Sequence, residues 1–460
     1  MSRREIYSQI SRAYSSSPFY SDVDRRKDRF QLYMIFASGA VQLRDSGLRN
    51  APIDYYTTAM EDASILADFP GQTQIQNTHL VMLFASHHDV GIGNHWDLAR
   101  QAVRTCIQHG YHRAAVKPAD PISEQMRRRL FWCSFISDLH QSHSIGRPTA
   151  ISEQDITIEL PLDANDEEVE AGLVSSPSGY SEVTILIRHC HLRKLAERAR
   201  RELYGIGAAD RSYEEKAALA RHLNAELEKW RDSSILTPFP TNSFQSHEYF
   251  QINFHRERMR IFLGLVIPVG METPNAAVNI HFLRYCLESA SEVVTCYQQL
   301  IRRDVLVTHW TFVQDILRSG FIILYCGIQI LRGLRRQSDE DIGPIDSEIL
   351  PMVNAIDTTR DILVEISRRW KTVTTHRVAF EQLSEQVKAI IQKSTQSRQQ
   401  ALSEIMPHGD TALPDLGVDF QWDFDLFNTN LDLPQAEGFG LSDMELNTVF
   451  GIDVNGMNWQ

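Results

Sequence analysis

The sequence lacks any pair of cysteines close enough to grip a metal together. Its six are Cys106, Cys133, Cys190, Cys286, Cys296 and Cys326, and none stands within four residues of another. That spacing excludes the C-x-x-C knuckles of common zinc modules. The six are expected to be buried free thiols of a reducing compartment. Long hydrophobic runs are also missing. The longest, "IFLGLVIPVGM" and "FIILYCGIQIL", have eleven residues, whereas a helix that spans a bilayer needs about 20. The opening "MSRREIYSQISRAYSSS" has no apolar stretch of the secretory kind. A soluble, intracellular protein without a membrane partner is therefore expected. No G-x-S-x-G, P-loop or complete G-x-G-x-x-G occurs. There is no βαβ alternation and no repeat at a fixed period.

Positive charge is absent from one region. From Gly409 to Gln460 there are ten Asp or Glu and no Lys or Arg. This tail carries −10 of the formal −13, so the remaining chain carries only −3. A body so near neutrality has no broad electrostatic footprint for nucleic acid. In the tail the acids alternate with Phe420, Trp422, Phe424 and Phe427. Such a segment buries too little apolar surface on itself to offset its ordering entropy. Its composition is that of an amphipathic activation tail, in which acids keep rings solvated and available to a groove with basic rims.

Most of the rest reads as helix, and the expected fold class is all-α: a large multi-helix regulatory domain with a disordered acidic C-terminal tail. "RFQLYMIFASGAVQLRD" places Leu32, Ile35, Phe36 and Val41 at helical spacing, and "YYTTAMEDASILADF" places Ala59, Ala63, Leu66 and Ala67 on one stripe. In "WDLARQAVRTCIQHGYHR", Leu98, Ala102, Cys106 and Ile107 share a face, and Gly110 marks the stop. Asp120-Pro121 is a start signal, with Asp as N-cap and Pro in the first turn. The spacing predicts a helix from Pro121 to about Ile145, with Leu130, Phe131, Phe135, Leu139 and Ile136 facing inward. Gly146 suits a left-handed exit and Pro148 prevents continuation. Ser152 and Asp155 form a short capping turn, and "DITIELP" alternates as a half-buried extended strand would. "DANDEEVEAGLVSSPSGYS", residues 163–181, reads as an acidic solvated loop.

The ordered series "YYTTA", "IQNTHLVMLFA", "WDLARQAVRTCIQHGYHR" and "RRRLFWCSFISDLHQSHSIGRPTAISEQDITIELP" resembles the fungal-specific transcription factor domain, the middle homology region of binuclear zinc-cluster activators. The resemblance is strongest over Tyr55–Pro161. "NFHRERMRIFL" resembles the family's long helix without its usual Pro. The resemblance implies three parts: 1–29, an N-terminal segment without a zinc cluster; 30–405, the helical regulatory domain; and 406–460, the activation segment. It implies a nuclear regulator of RNA polymerase II genes in a fungus, serving a secondary-metabolite or catabolic pathway. Transcription machinery or co-activators would be partners through the tail. DNA would be a partner only with a zinc cluster supplied by a missing exon or a partner protein. The resemblance leaves open a small-molecule effector and a homodimer. No cofactor is expected, the family's zinc cluster being absent from this chain.

Other clusters are weaker. Arg127, Arg128 and Arg129 stand about 100° apart around a helix, so they form no single phosphate surface; at least one should pair with a carboxylate and the others stay solvated. Arg147 is placed to satisfy the open carbonyls of the helix end, with Asp138 as its bidentate partner. His189, Cys190 and His191 are consecutive and diverge, so they cannot converge on one ion. His140 and His143 share a face without a third ligand. His87 reads as a histidine at a helix end, beside the negative pole of the dipole. "NDEEVE", Asn165–Glu170, faintly resembles the acidic motif of helical isoprenoid enzymes, which makes an all-α metal-dependent enzyme the alternative. No residue is assigned as catalytic, cofactor-binding or metal-ligating, and the chain is read as a binding protein rather than an enzyme.

Overall fold

The computed structural model describes residues 3–13, 21–43, 51–63, 71–87, 95–115, 120–144, 146–234, 240, 242–266, 280–303, 310–334, 346–369 and 373–404. Among the described residues there are fourteen α-helices and no strand, as an all-α chain requires. The tail Gly409–Gln460 lies outside them. The chain divides into two compact units.

Unit 1 comprises Met1–Arg198, Asp232–Ser246 and Leu306–Thr311. It contains α1 (Arg3–Ala13), α2 (Asp22–Gln42), α3 (Pro52–Met60), α4 (Gly71–Ala85), α5 (His95–Gln108), α6 (Pro121–Ser144), α7 (Asp166–Glu170) and most of α8 (Thr184–Tyr204). Buried amides link the first helices: Gln9 of α1 donates to Gln31 of α2 at 2.6 Å, and Gln31 donates to Asn77 of α4 at 2.8 Å. Arg26 and Arg29 of α2 converge on the buried carboxylate of Asp62 just after α3. Salt bridges and amide links of this kind fix which helices meet, while packing supplies most of the stability.

The α2 stripe differs from the expected one. Leu32 and Val41 are buried as expected, but the main face is Phe30, Met34, Ala37 and Val41, at intervals of three and four residues, whereas Ile35 is half-buried and Phe36 is 43% exposed. A chain with apolar residues on several faces contains two overlapping stripes. The one aligned with Tyr56, Ala59, Val81 and Phe84 is the core face. Within it Tyr56 and Phe84 stack at 4.7 Å. Helix α3 stops at Met60, earlier than the alanine stripe suggested, and Leu66 and Ala67 lie outside the described residues. Helix α5 ends as expected: Gly110 takes φ 70°, and the Tyr111 N–H closes on the Cys106 carbonyl at 2.8 Å.

Unit 2 comprises Ala199–Arg231, His247–Val305 and Phe312–Gln460. Its helices are α9 (Tyr213–Asp232), α10 (His247–Val266), α11 (Ile280–Arg302), α12 (Trp310–Leu334), α13 (Asp346–Arg369) and α14 (Thr374–Glu404). Helix α12 includes Thr311–Ile330, which is long and apolar enough to cross a membrane by length and composition, with mean hydropathy 1.3. That span is 78% buried and carries Asp315 and Arg318 inside the fold, the pattern of a core helix. Close approach requires glycine at Gly320. A Cβ there would stand 2.7 Å from both Phe380 and Thr359, which are themselves fully buried.

Candidate functional site

The segment with the clearest sequence signals folds into one continuous motif of unit 1. Asp120 caps α6 by accepting the Ser123 N–H at 3.0 Å. The α6 core face is Leu130, Phe131, Phe135 and Leu139, with Ile136 packed against its edge. Trp132 joins it, 3% exposed and donating its indole N–H to the Glu159 carbonyl at 2.9 Å. Phe131, Trp132 and Phe135 form mutual ring contacts at 5.4–6.0 Å. Each such pair is worth about 0.5–1.5 kcal/mol beyond its buried area. Gly146 then leaves the helix at φ 65°, and the Arg147 N–H bonds the Ser142 carbonyl at 2.9 Å. This is the six-to-one closure of a helix end that glycine permits.

The expected Arg147–Asp138 pair is replaced by a different arrangement. The backbone of Arg147, not its guanidinium, closes the helix. The guanidinium instead lies over the Trp96 ring at 4.4 Å, and that of Arg100 lies over the same ring at 4.6 Å. Asp138 is fully buried. It accepts the Ala150 N–H at 2.7 Å and the Ser142 hydroxyl at 3.4 Å, with Arg100 at 3.7 Å. Trp96 donates to Ser142 at 3.1 Å, and Arg100 bonds the Pro148 carbonyl. Tryptophan between two cations uses the negative face of its ring twice. Burial raises the Asp138 carboxyl above its usual range, against the lowering effects of the Ala150 N–H and Arg100. Sequence reasoning missed Trp96 and Arg100 because they come from α5, some fifty residues before the turn they brace.

Ser152 caps a single 3-10 turn, Glu153–Asp155, and the return segment is extended from Ile156, with Ile156, Ile158 and Leu160 on the core and Thr157 and Glu159 exposed. The alternation was legible; a strand was not formed. The Thr157 and Ile158 N–H groups share the His112 carbonyl, at 2.9 and 3.2 Å. Side chains of α6 take the rest: Trp132 on Glu159, Arg128 on Leu160, and Gln125 on the Leu162 N–H. Backbone groups that have no neighbouring strand must be met in this way.

The three arginines of α6 are all engaged. Arg127 grips Glu124 with two nitrogens at 2.8 and 2.9 Å. Arg128 bridges Glu124 and Glu159, and Arg129 pairs with Asp166 at 2.7 Å. None is left to solvent, contrary to the expectation. Asp166 belongs to α7, so the first part of 163–181 is helix and caps, while 170–175 and 177–179 are exposed as expected. Glu168 reaches back to the Asn165 N–H at 2.7 Å, a capping contact, and Val169 is buried. The Asp163 carboxylate accepts the Ser181 and Thr184 hydroxyls at 2.7 and 2.5 Å, at the start of α8. Within the acidic motif Glu168 caps, and Asp166 and Glu170 pair with Arg129 and Arg4. Among the described residues, no group of three or more His, Cys, Asp or Glu is placed to hold a metal.

The histidine and cysteine clusters resolve similarly. His143 pairs with Glu197 at 2.6 Å rather than with His140. His87 is buried just beyond the end of α4, whereas His88 to Val90 lie outside the described residues. Cys190 is fully buried, and burial drives its thiol well above the ordinary range. Cys106 is pushed up to about 12 and Cys133 to about 11, both by burial. Protonated thiols of this kind are poor nucleophiles and poor ligands. His79 and Ser134, 2.8 Å apart, resemble a base and a nucleophile. Ser134, however, is fully buried and donates its proton to the Leu130 carbonyl at 2.8 Å.

Unit 2 holds a buried ionic cluster. Arg256 of α10 pairs with Asp315 of α12 at 3.0 Å and donates to Asn253 at 2.5 Å. Tyr297 of α11 donates to Asp315 at 2.8 Å. Burial lowers the Arg256 guanidinium, but Asp315 and Glu257 outweigh it, so it stays charged. Next to it, Arg258 pairs with Glu288 at 3.2 Å and lies over Tyr285 at 4.3 Å. These charges answer one another across three helices and fix their register.

The buried charges described pair mainly with one another, as in a scaffold. Residues 9–232 match the family described as the fungal specific transcription factor domain. The α6 motif lies wholly inside the match. Similar curated proteins are transcription regulators by name. A putative transcriptional regulatory protein of Saccharomyces cerevisiae is 22% identical over 330 residues, covering 64% of this chain and 43% of its own. Pyrimidine pathway regulatory protein 1 of the same yeast is 22% identical over 308 residues, covering 64% and 33%. An ABC-transporter-regulating transcription factor of Aspergillus fumigatus is 27% identical over 150 residues, covering 32% and 16%. The chain thus spans less than half the length of these relatives. No solved structure matches it.

Proposed function

We propose that the chain regulates transcription in the nucleus, by binding rather than catalysis. The observation that carries this reading is the domain match over residues 9–232, joined in one chain to an acidic, ring-rich segment without a single Lys or Arg. The helical body is the regulatory part. The stretch 406–460 is the output, its rings offered to a co-activator or to the general machinery. DNA is reached through a zinc cluster supplied by another segment or by a partner, since the cysteines here are free and sit in helices, five of them buried. An effector or partner that binds the body shifts it between arrangements that restrain or expose the tail. The pathway served is secondary-metabolite or catabolic.

The test tethers the chain to an unrelated DNA-binding domain above a reporter. Full-length chain should raise transcription, and residues 1–405 alone should not. Equal output from both would place activation elsewhere and sink the assignment of the tail.

A further inference from the structure

The turn between α7 and α8 contains the dipeptide Ser176-Pro177. Leu173, Val174, Ser175, Pro177, Ser178 and Gly179 around it are all exposed, whereas Ser176 is buried. Within 173–179 Ser176 is the buried residue, and the half-buried Tyr180 ring follows just beyond. Gly172 and Gly179 bracket it at φ 81° and 69°, with open space where a Cβ would stand. The turn is held through Ser176 itself. Its N–H donates to the Asp163 carbonyl at 2.7 Å, and its hydroxyl donates to Glu168 Oε1 at 3.0 Å. The Ser178 hydroxyl stands 2.9 Å from the Ser176 oxygen. The other oxygen of Glu168 caps α7 through the Asn165 N–H, and the Asn165 side chain accepts the Glu182 N–H at 2.9 Å. Ser176 is therefore the pin between an exposed turn and the acids that cap α7 and lead into α8.

We propose that Ser176 is a phosphorylation site for a proline-directed serine/threonine kinase, and that the phosphate releases the 163–181 segment from its capping contacts. The residue before a proline is held extended, and few bonds must open to present it. In the transfer, the Ser176 oxygen forms a bond to the γ-phosphorus of ATP. The bond from that phosphorus to the bridging oxygen breaks, ADP leaves, and the hydroxyl proton is released. The product carries close to two negative charges at neutral pH. It can no longer donate to Glu168, and it places those charges within hydrogen-bond reach of a carboxylate. The guanidinium of Arg129 is taken by Asp166 at 2.7 Å, and that of Arg4 is solvent-exposed and only approaches Glu170, at 3.6 Å. Like-charge repulsion then separates Ser176 from Glu168, and the Asn165 cap goes with it.

The experiment treats the full chain with a proline-directed kinase and ATP, maps the phosphate by mass spectrometry, and reads amide exchange. The expected result is phosphate on Ser176, absent in Pro177→Ala, together with at least tenfold faster exchange at the Asn165 and Ser176 amides. Glu168→Gln removes the opposing charge, so the modified variant should lose less than threefold of its protection. The proposal is overturned if other Ser-Pro or Thr-Pro sites of the same chain are modified while Ser176 stays bare. It is equally overturned if phosphorylated Ser176 leaves the Asn165 amide as protected as before.

Discussion

Replacing Asp138 by Ala removes the acceptor on which the turn after α6 closes. The half-buried Ala150 N–H, bonded at 2.7 Å in the wild type, is left without that acceptor, a cost of about 1–3 kcal/mol. The Ser142 hydroxyl can turn to other acceptors. Arg100 loses a partner at 3.7 Å, but its side chain is 31% exposed, so this adds less than about 1 kcal/mol. The sum is about 1–4 kcal/mol. Asn keeps an oxygen for the Ala150 N–H and loses only the charge, so Asp138→Asn should cost about 0–1 kcal/mol. The assay is hydrogen exchange at the Arg147 amide, which closes the helix on Ser142 and is untouched by either substitution. Its protection should fall about 5- to 700-fold in the Ala variant and by a smaller factor, no more than about fivefold, in the Asn variant, at 1.4 kcal/mol per decade. In a double-mutant cycle Asp138 should couple to Arg100 and not to Arg147. Equal losses in the Ala and Asn variants, or coupling to Arg147 alone, would refute the reasoning. The pH dependence has a definite sign. The folded-state pKa of Asp138 is raised, so its contribution is complete below the unfolded carboxylate range and declines as pH rises through the folded value.

Four further outcomes are expected. Gly320→Ala should lower the thermal midpoint, since its new methyl meets two buried side chains and overpacking costs about 1–3 kcal/mol. Gly327→Ala should cost less, because its neighbour is the sulfur of Met352, at the end of a flexible side chain. Arg256→Met alone should destabilise by about 3–5 kcal/mol by stranding Asp315, and Arg256→Met with Asp315→Leu should recover most of that in urea unfolding. Burial and two arginines hold His255 down to about 4. Its contribution is present above pH 6.5 and lost as pH falls from there to about 4, about 3 kcal/mol in all. His255→Gln should flatten the stability profile in that window.

Local signals were the legible ones. Asp120, Gly110 and Gly146 announced helix ends because caps and left-handed exits depend on a few neighbouring residues. The core face of α6 was readable for the same reason. The partners of charged groups were not. Asp138 found the Ala150 N–H and Arg100 rather than Arg147, and Arg129 found Asp166, because such pairings are decided by which helices meet. The acidic segment 163–181 looked solvated by composition, yet Asp163, Glu168 and Asn165 cap structure around it. In α2 the choice between Phe36 and the stripe through Met34 rested on α3 and α4, which periodicity within one helix does not contain. The resemblance to the fungal regulator family was carried by residues 55–161, within the stretch that matches the family domain.

Reporter output from Gly409–Gln460, fused alone to a foreign DNA-binding domain, tests the regulatory reading most directly. Strong transcription is expected, falling at least tenfold when Phe420, Trp422, Phe424 and Phe427 are all changed to Ala with every acid retained. Silence from the intact segment, or output indifferent to the loss of its rings, would contradict the account.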